Sequence, residues 1–280
     1  MQAARVSDRI WSVLARLRRD GPDNAAPPRI LPADERAAWD LYSPVAGATA
    51  RPGFVLGQVG QSLDGRIATP SGDATDVSGR DGLAHLHRCR ALVDAVVVGV
   101  RTALADDPQL TVRLVPGAHP ARVVLDPRGR LPNTARVLRA DGARRLIVQA
   151  CGKARPPGVE VVELSATGGW IAPADIRAAL AERGLTRLLV EGGGITLAGF
   201  LDAGLLDRLH VAVAPIIIGA GPSGLSTAPV ARLADALRPE TRVYGLGTDV
   251  VFDCDLVGGR ASRSTWPTTQ VAPATIAQRA

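Results

Sequence analysis

The sequence predicts an α/β fold built on a mostly parallel central sheet flanked by helices. Three observations lead there. From Phe54 onward, short apolar runs alternate with stretches of helical period, which is the pattern that βαβ units produce. The runs are rich in Val, Leu and Ile and lack a polar residue at every second place, as strands covered on both faces do. Glycine- and aspartate-rich turn signals follow several of them.

In chain order, residues 5–19 place Ile10, Val13, Leu14 and Leu17 at helical spacing. GPDNAAPP interrupts, ADERAAWDLY reads as a second helix, and PVAGATARPG reads as a linker. Strands are expected at Phe54–Val59, Ala95–Val98, Arg122–Leu125, Leu146–Val148, Val159–Val162, Arg187–Val190, Leu209–Val213 and Val250–Asp255, and helices at Arg80–Leu92, Pro173–Arg183 and Thr196–Ala203. The last strand follows a stretch without a helix, so an antiparallel edge is expected at the C-terminus. The organisation expected is an N-terminal helical extension and linker over residues 1–50, one domain over 51–258, and a flexible polar tail over 259–280.

The 280 residues, 46% hydrophobic and 21% charged, have the balance of an ordinary globular chain. A net charge of +6 raises the question of nucleic acid. However, the 33 basic residues include a single lysine, Lys153, and the rest are scattered arginines in an Ala-, Gly- and Val-rich chain. A GC-rich coding bias accounts for that. With 3% aromatic residues there is no stacking platform, so no nucleic-acid partner is expected. Three widely spaced cysteines (Cys89, Cys151, Cys254) form no disulfide framework and point to a reducing cytoplasm. No apolar run has the length of a membrane span, and no membrane partner is expected.

The most informative stretch is LLVEGGGITLAG, residues 188–199. A strand, three glycines and a helix start make an anion site: backbone N–H groups approach a phosphate without a Cβ in the way, and the helix N-terminus adds unpaired donors. Glu191 has the wrong charge for that cradle and is expected to face the uncharged, reacting end of the ligand. Three further segments follow apolar runs: SLDGR (62–66), GVRTALADDP (99–108) and DPRGR (126–130). Asp64 reads as the cap of its own turn. Asp106 and Asp107 are adjacent, which rarely suits one ion, and no metal is expected. His85 and Cys89 share a helix face, but a zinc site needs more ligands. Crevices at strand carboxyl ends are where open α/β sheets bind ligands, and four of the segments fall there.

At these residues the chain resembles the pyrimidine reductase half of bacterial RibD, an enzyme of riboflavin biosynthesis with a dihydrofolate-reductase-like fold. QSLDGRIA, VVVGVRTALADDPQLTVR, ARVVLD, LLVEGGG and LLDRLHVAVAPIIIGAG carry the resemblance from about Phe54 to Leu256. It implies NADPH as hydride donor, with Gly60, Asp76, Thr102, Asp106 and Gly193, Gly194, Ile195, Thr196, Leu197, Ala198 and Gly199 at cofactor positions. Ala74, Arg90, Leu110, Arg113 and Glu191 would stand at substrate positions, Glu191 with a catalytic role in addition. The implied reaction is reduction of the ribosyl group of 5-amino-6-(5-phosphoribosylamino)uracil to the ribitylamino product, by a cytoplasmic homodimer with Leu209–Ile218 near its contact. Arg90 and Arg113 suit a substrate phosphate, because a guanidinium donates two hydrogen bonds in a fork. Arg128 and Arg130 are expected near the adenosine 2′-phosphate. The sequence departs from the family at Ala74, where a serine is common, and at Asp76, where an aromatic ring is common. It also lacks the zinc signature of the deaminase half. The departures leave open a paralogue that reduces another heterocycle, such as a dihydropterin, and a non-catalytic protein that keeps the fold.

Overall fold

The computed structural model describes residues 1–22, 26–48, 53–75 and 77–257. Asp76, residues 49–52 of the expected linker and the expected tail lie outside the described residues, and residues 44–46, expected in the linker, continue a helix. The chain begins with a two-residue strand β1 (Gln2–Ala3), helix α1 (Asp8–Asp20) and helix α2 (Ala33–Ala46). Then come β2 (Phe54–Ser62), α3 (Arg80–Ala91), β3 (Ala95–Gly99), α4 (Val100–Asp106), β4 (Ala121–Leu125), β5 (Arg145–Gln149) and β6 (Val159–Glu163). The last elements are α5 (Pro173–Ala181), β7 (Arg187–Glu191), α6 (Gly194–Asp202), β8 (Arg208–Ala214), β9 (Glu240–Leu246) and β10 (Asp249–Asp255).

All strands join one sheet in the order β1-β9-β10-β8-β2-β7-β3-β4-β5-β6. The run from β8 to β6 is parallel throughout. The antiparallel part at the C-terminus is deeper than the sequence suggests. β10 lies between β8 and β9 and runs antiparallel to both, and β1 pairs with the far side of β9. β9 was not expected because the first half of ETRVYGL is exposed and charged, and only Tyr244 and Leu246 reach the core.

The two faces explain the unbroken apolar runs. Leu56, Val96, Val98, Val124, Ile147 and Leu189 face α1, α2 and α3. The alternate residues Val55, Val97, Val123, Leu146, Leu188 and Val190 face α5 and α6. Each strand is thus apolar on both sides. Gly57 is small for a reason: a Cβ there would lie 2.6 Å from Leu197 Cδ1 and 2.9 Å from Leu206 Cδ1, so α6 sits close on β2.

The N-terminal helices belong to this core. Ile10, Leu14, Leu41 and Tyr42 are fully buried, and Trp11 Nε1 donates to Pro116 O at 2.8 Å across the chain. Asp94, between α3 and β3, gathers the contacts. It accepts from Arg18 of α1, from Thr186 N at 3.0 Å and from Arg187 N at 2.7 Å. Arg187 in turn donates to Arg18 O and Ala46 O. One carboxylate therefore ties the helical extension to the start of β7. Replacing Asp94 by Ala strands these donors and is expected to lower unfolding stability by about 2–3 kcal/mol, read from urea midpoints. An unchanged midpoint would show that the extension is held by apolar contact alone.

Candidate active site

The parallel strands end along one edge, and the notable segments meet there. β7 and β3 are neighbours, so the loop after each lies beside the other. Gly192 (φ 70°) and Gly193 (φ 38°) turn the chain from β7 into α6 in a backbone region that side chains avoid. A Cβ on Gly192 would stand 2.6 Å from Thr102 Cγ2, and one on Gly193 would stand 2.7 Å from Thr102 Oγ1. A Cβ on Gly99 would strike Thr196 Oγ1. The two loops thus pack directly on one another, with the hydroxyls of Thr102 and Thr196 against the glycine backbone and no space for a larger side chain at Gly99, Gly192 or Gly193. Glycine backbone and hydroxyls of this kind are the chemistry that a diphosphate site uses. Ile195 is exposed and Thr196 half-buried, whereas Leu197 and Ala198 turn into the sheet. Gly194 is closed over by the carbonyls of Ser223 and Gly224. Gly199 lies one turn further along α6.

Glu191 is the last residue of β7 and is 3% exposed. Its carboxylate accepts from Arg90 Nε at 3.0 Å and from Arg90 Nη2 at 3.1 Å. Arg90 Nη1 donates to Thr111 O at 3.2 Å. The donors of Arg90 are therefore turned inward, toward Glu191 and the 110–113 loop. In that loop Leu110 adopts φ 54° and is 2% exposed, so its side chain belongs to the core while its backbone is strained. Arg113 is exposed. Its Nη1 donates to Thr111 Oγ1 at 2.6 Å and to Gln109 Oε1 at 3.2 Å. Burial lowers the Arg113 guanidinium from its ordinary value, and the positive charges of Arg90 and Arg136 lower it further. An anion placed among these arginines would relieve that repulsion.

Sequence reasoning missed several supports of the loop. His87 Nδ1 accepts from Arg113 N at 2.8 Å and from Leu114 N at 3.4 Å. Burial first, then Arg90 and Arg113, push His87 down to about 4, which keeps it an acceptor at neutral pH. Asp107 (φ 38°) accepts from Arg136 N at 2.7 Å and fixes Arg136 beside Arg113. Asp106, at the end of α4, is exposed.

On the β2 side, a Cβ on Gly60 would lie 2.9 Å from Ser78 Oγ. Ala74 is half-buried in the segment leading to α3. The N-terminus of α3 is covered by the buried carboxylate of Asp249, which accepts from Gly79 N at 3.0 and 3.1 Å. Asp64 reaches further than its own turn. It accepts from Ser62 Oγ at 2.6 Å, Ile218 N at 3.1 Å and Gly219 N at 2.6 Å. Arg66 donates to Gly219 O, Gly221 O and Ser223 Oγ. Residues 62–66 and 218–223 are thereby clasped together. Further along the edge, Arg128 and Arg130 are exposed after β4. A cavity of about 460 Å³ opens after β5 and β6, lined by Ala150, Glu163, Leu164, Ser165 and Ala166.

Residues 54–251 match the family described as the RibD C-terminal domain. This chain belongs to that family. The family match begins at the first residue of β2 and ends within β10, so α1 and α2 lie outside it. The 2,5-diamino-6-ribosylamino-4(3H)-pyrimidinone 5′-phosphate reductase of Methanothermobacter thermautotrophicus is 35% identical over 218 residues, which is 73% of this chain and 99% of that protein. The riboflavin biosynthesis protein RibD of Aquifex aeolicus is 34% identical, over 69% of this chain and 54% of its own length. This RibD-domain chain thus spans about half of the RibD protein it matches there. Among solved structures, a deaminase/5-amino-6-(5-phosphoribosylamino)uracil reductase from Thermotoga maritima superposes with a TM-score of 0.65 at 26% identity, over 80% of this chain and 62% of that one. RibD of Acinetobacter baumannii gives 0.63 at 28% identity, over 80% and 64%.

Ser62 Oγ first, then the amides of Ile218 and Gly219, hold Asp64 down at about 2. A carboxylate whose native value is depressed contributes its stabilisation above its unfolded value, and loses it as pH falls through the native one. In Asp64→Asn, the amides of Ile218 and Gly219 are expected to exchange faster than in the wild type at pH 7. That difference should vanish as pH falls from about 4 through about 2. Equal exchange at neutral pH would remove Asp64 from the clasp.

Proposed function

We propose that this chain is an NADPH-dependent reductase of riboflavin biosynthesis that reduces the ribosyl group of a 5-phosphoribosylamino-pyrimidine to the ribitylamino product. The observation that carries the reading is the close packing of the Gly192–Gly193 turn on Thr102, with Glu191 at one end and the Arg113–Arg136 pair nearby. When bound, NADPH supplies the hydride. The turn at Gly192–Gly193 and the hydroxyls of Thr102 and Thr196 would take its diphosphate and ribose, while Gly60 and Asp106 border the same edge; Gly194, expected at a cofactor position, is covered by the carbonyls of Ser223 and Gly224. Arg128 and Arg130 meet the adenosine 2′-phosphate beside the cavity after β5 and β6.

Glu191 would accept a hydrogen bond from the substrate, take the N–H proton of the glycosylamine and return it to the ring oxygen as the C1′–O bond breaks, leaving the open-chain imine. Arg90 acts through Glu191: its fork fixes the carboxylate in one orientation and keeps it at the end of β7. Arg113 and Arg136 bind the 5′-phosphate, and the Leu110 backbone borders the substrate beside them. Ala74 removes a hydroxyl from the substrate side. The enzyme works as a cytoplasmic homodimer in this reading. β8 is interior to the sheet, so Pro215 and Ile217, which are exposed, are the side chains of Leu209–Ile218 that would meet a second copy. Among the described residues no helix is long and apolar enough to cross a membrane.

The substrate base is decided by comparing NADPH oxidation with the phosphoribosylamino-uracil, the 2,5-diamino-pyrimidinone analogue and dihydropterins. Turnover of either phosphoribosylamino compound supports the reading, and turnover of dihydropterins alone ends it. Replacing Arg113 by Ala is expected to raise KM for the phosphorylated substrate about 10–100-fold while leaving KM for NADPH within about twofold. Equal losses for both would move Arg113 out of the substrate site. Replacing Gly193 by Val should raise KM for NADPH by about tenfold or more, and an unchanged value would take the loop out of the cofactor site.

A further inference from the structure

A second cluster lies on the same face of the sheet, beginning at the residue before Arg90, and the proposed reaction does not use it. His85 and Cys89 are four residues apart in α3 and point the same way, onto β8. His210 of β8 rises to meet them. All three side chains are fully buried. Cys89 Sγ lies 3.7 Å from His85 Nε2 and 3.9 Å from His210 Nδ1, and the three donor atoms all lie within 4.8 Å of one another. Zinc bonds of about 2.3 Å to sulfur and about 2.0–2.1 Å to nitrogen place neighbouring ligand atoms roughly 3.4–3.8 Å apart. Movements of up to about 1 Å between the ring nitrogens, and smaller ones of the thiol, would close this group on one ion.

The outward nitrogens of both rings face groups of the kind that metal-bound histidines use, hydrogen-bonded in the case of His85 and only approached in the case of His210. His85 Nδ1 is 2.8 Å from the Tyr42 hydroxyl. His210 Nε2 is 3.3 Å from Asp253 Oδ1. Such outer partners fix the tautomer and aim the other nitrogen at the metal. The polar accounting is also incomplete as the side chains stand. His210 Nε2 and Asp253 Oδ2 are buried and make no hydrogen bond. A metal on His210 Nδ1 fixes the ring proton on Nε2, facing the carboxylate.

We propose that His85, Cys89 and His210 bind one zinc ion that pins α3 to β8. On loading, the Cys89 thiol releases its proton to solvent and a zinc–sulfur bond forms, with no change of oxidation state. The thiolate balances one of the two positive charges, and Asp253, which also pairs with Arg208 at 2.8 Å, lies beyond His210. Gln58 is the register partner of His210 on β2 and is buried on the same face. The ion supports the helix that carries Arg90 and is taken up during folding, because its ligands are closed to solvent in the native chain.

The test uses the full chain without a polyhistidine tag, refolded in the presence of zinc, in cobalt(II), or with a chelator. About one zinc per chain is expected after gel filtration, by elemental mass spectrometry. The cobalt form should show thiolate-to-cobalt charge-transfer absorption, and the chelator-refolded chain should unfold at lower temperature. Cys89→Ser and His210→Asn should lose the zinc, and the cobalt absorption should vanish in Cys89→Ser. A wild-type chain that takes up no zinc and shows no cobalt–thiolate absorption would overturn the proposal and leave a hydrogen-bonded core cluster. Full zinc retained in both variants would overturn it as well.

Discussion

The ion pair between Arg90 and Glu191 is the contact on which the geometry of the crevice depends. It joins residues 101 positions apart, one from a helix on the sheet face and one from the end of a central strand. Shut away from water, such a pair is costly to break from one side, by about 3–5 kcal/mol. Whatever gain the pair itself brings, the charge left behind would have no partner. α3 is therefore held over β7 and β2, and the Thr111 carbonyl, which shares the guanidinium, draws the 110–113 loop to the same point. The acidic group, the arginine loop and the glycine turn then keep fixed positions with respect to one another.

Around that pair, polar side chains run in a line across the sheet. Glu191, Gln58, His210 and Asp253 are register partners on four adjacent strands, β7, β2, β8 and β10. They share the face covered by α3, and all four are buried. Buried polar groups of this kind tolerate little misalignment, so α3 has few alternative positions on the sheet.

Much of the scaffold was legible in the sequence, because strands buried on both faces leave continuous apolar runs such as VVVG and LLVE. Helices of three turns were legible from their period. α4 escaped because seven residues are too few to show one, and β9 because half of it is exposed. The site was legible in part. Gly192 and Gly193 mark a backbone conformation that other residues avoid, and that signal is local. The orientation of Arg90 was not legible: helical spacing shows that a residue has an inner face, not which distant strand end it meets. His210 was hidden for the same reason. It lies inside an apolar strand 121 residues from Cys89, and only the sheet order brings the two together. Asp64 looked like a turn residue and is one, but its carboxylate also reaches the amides of a loop that follows β8.

That clasp has a mechanical consequence. Asp64 and Arg66 fasten the segment after β2 to the segment after β8 through backbone groups on both sides, so neither can flap alone. Any widening of the crevice on this flank has to swing both together as one stiff plate, with its hinge where the plate meets the sheet. Traffic of small molecules through that flank is then set by a single collective motion rather than by the separate wandering of two loops.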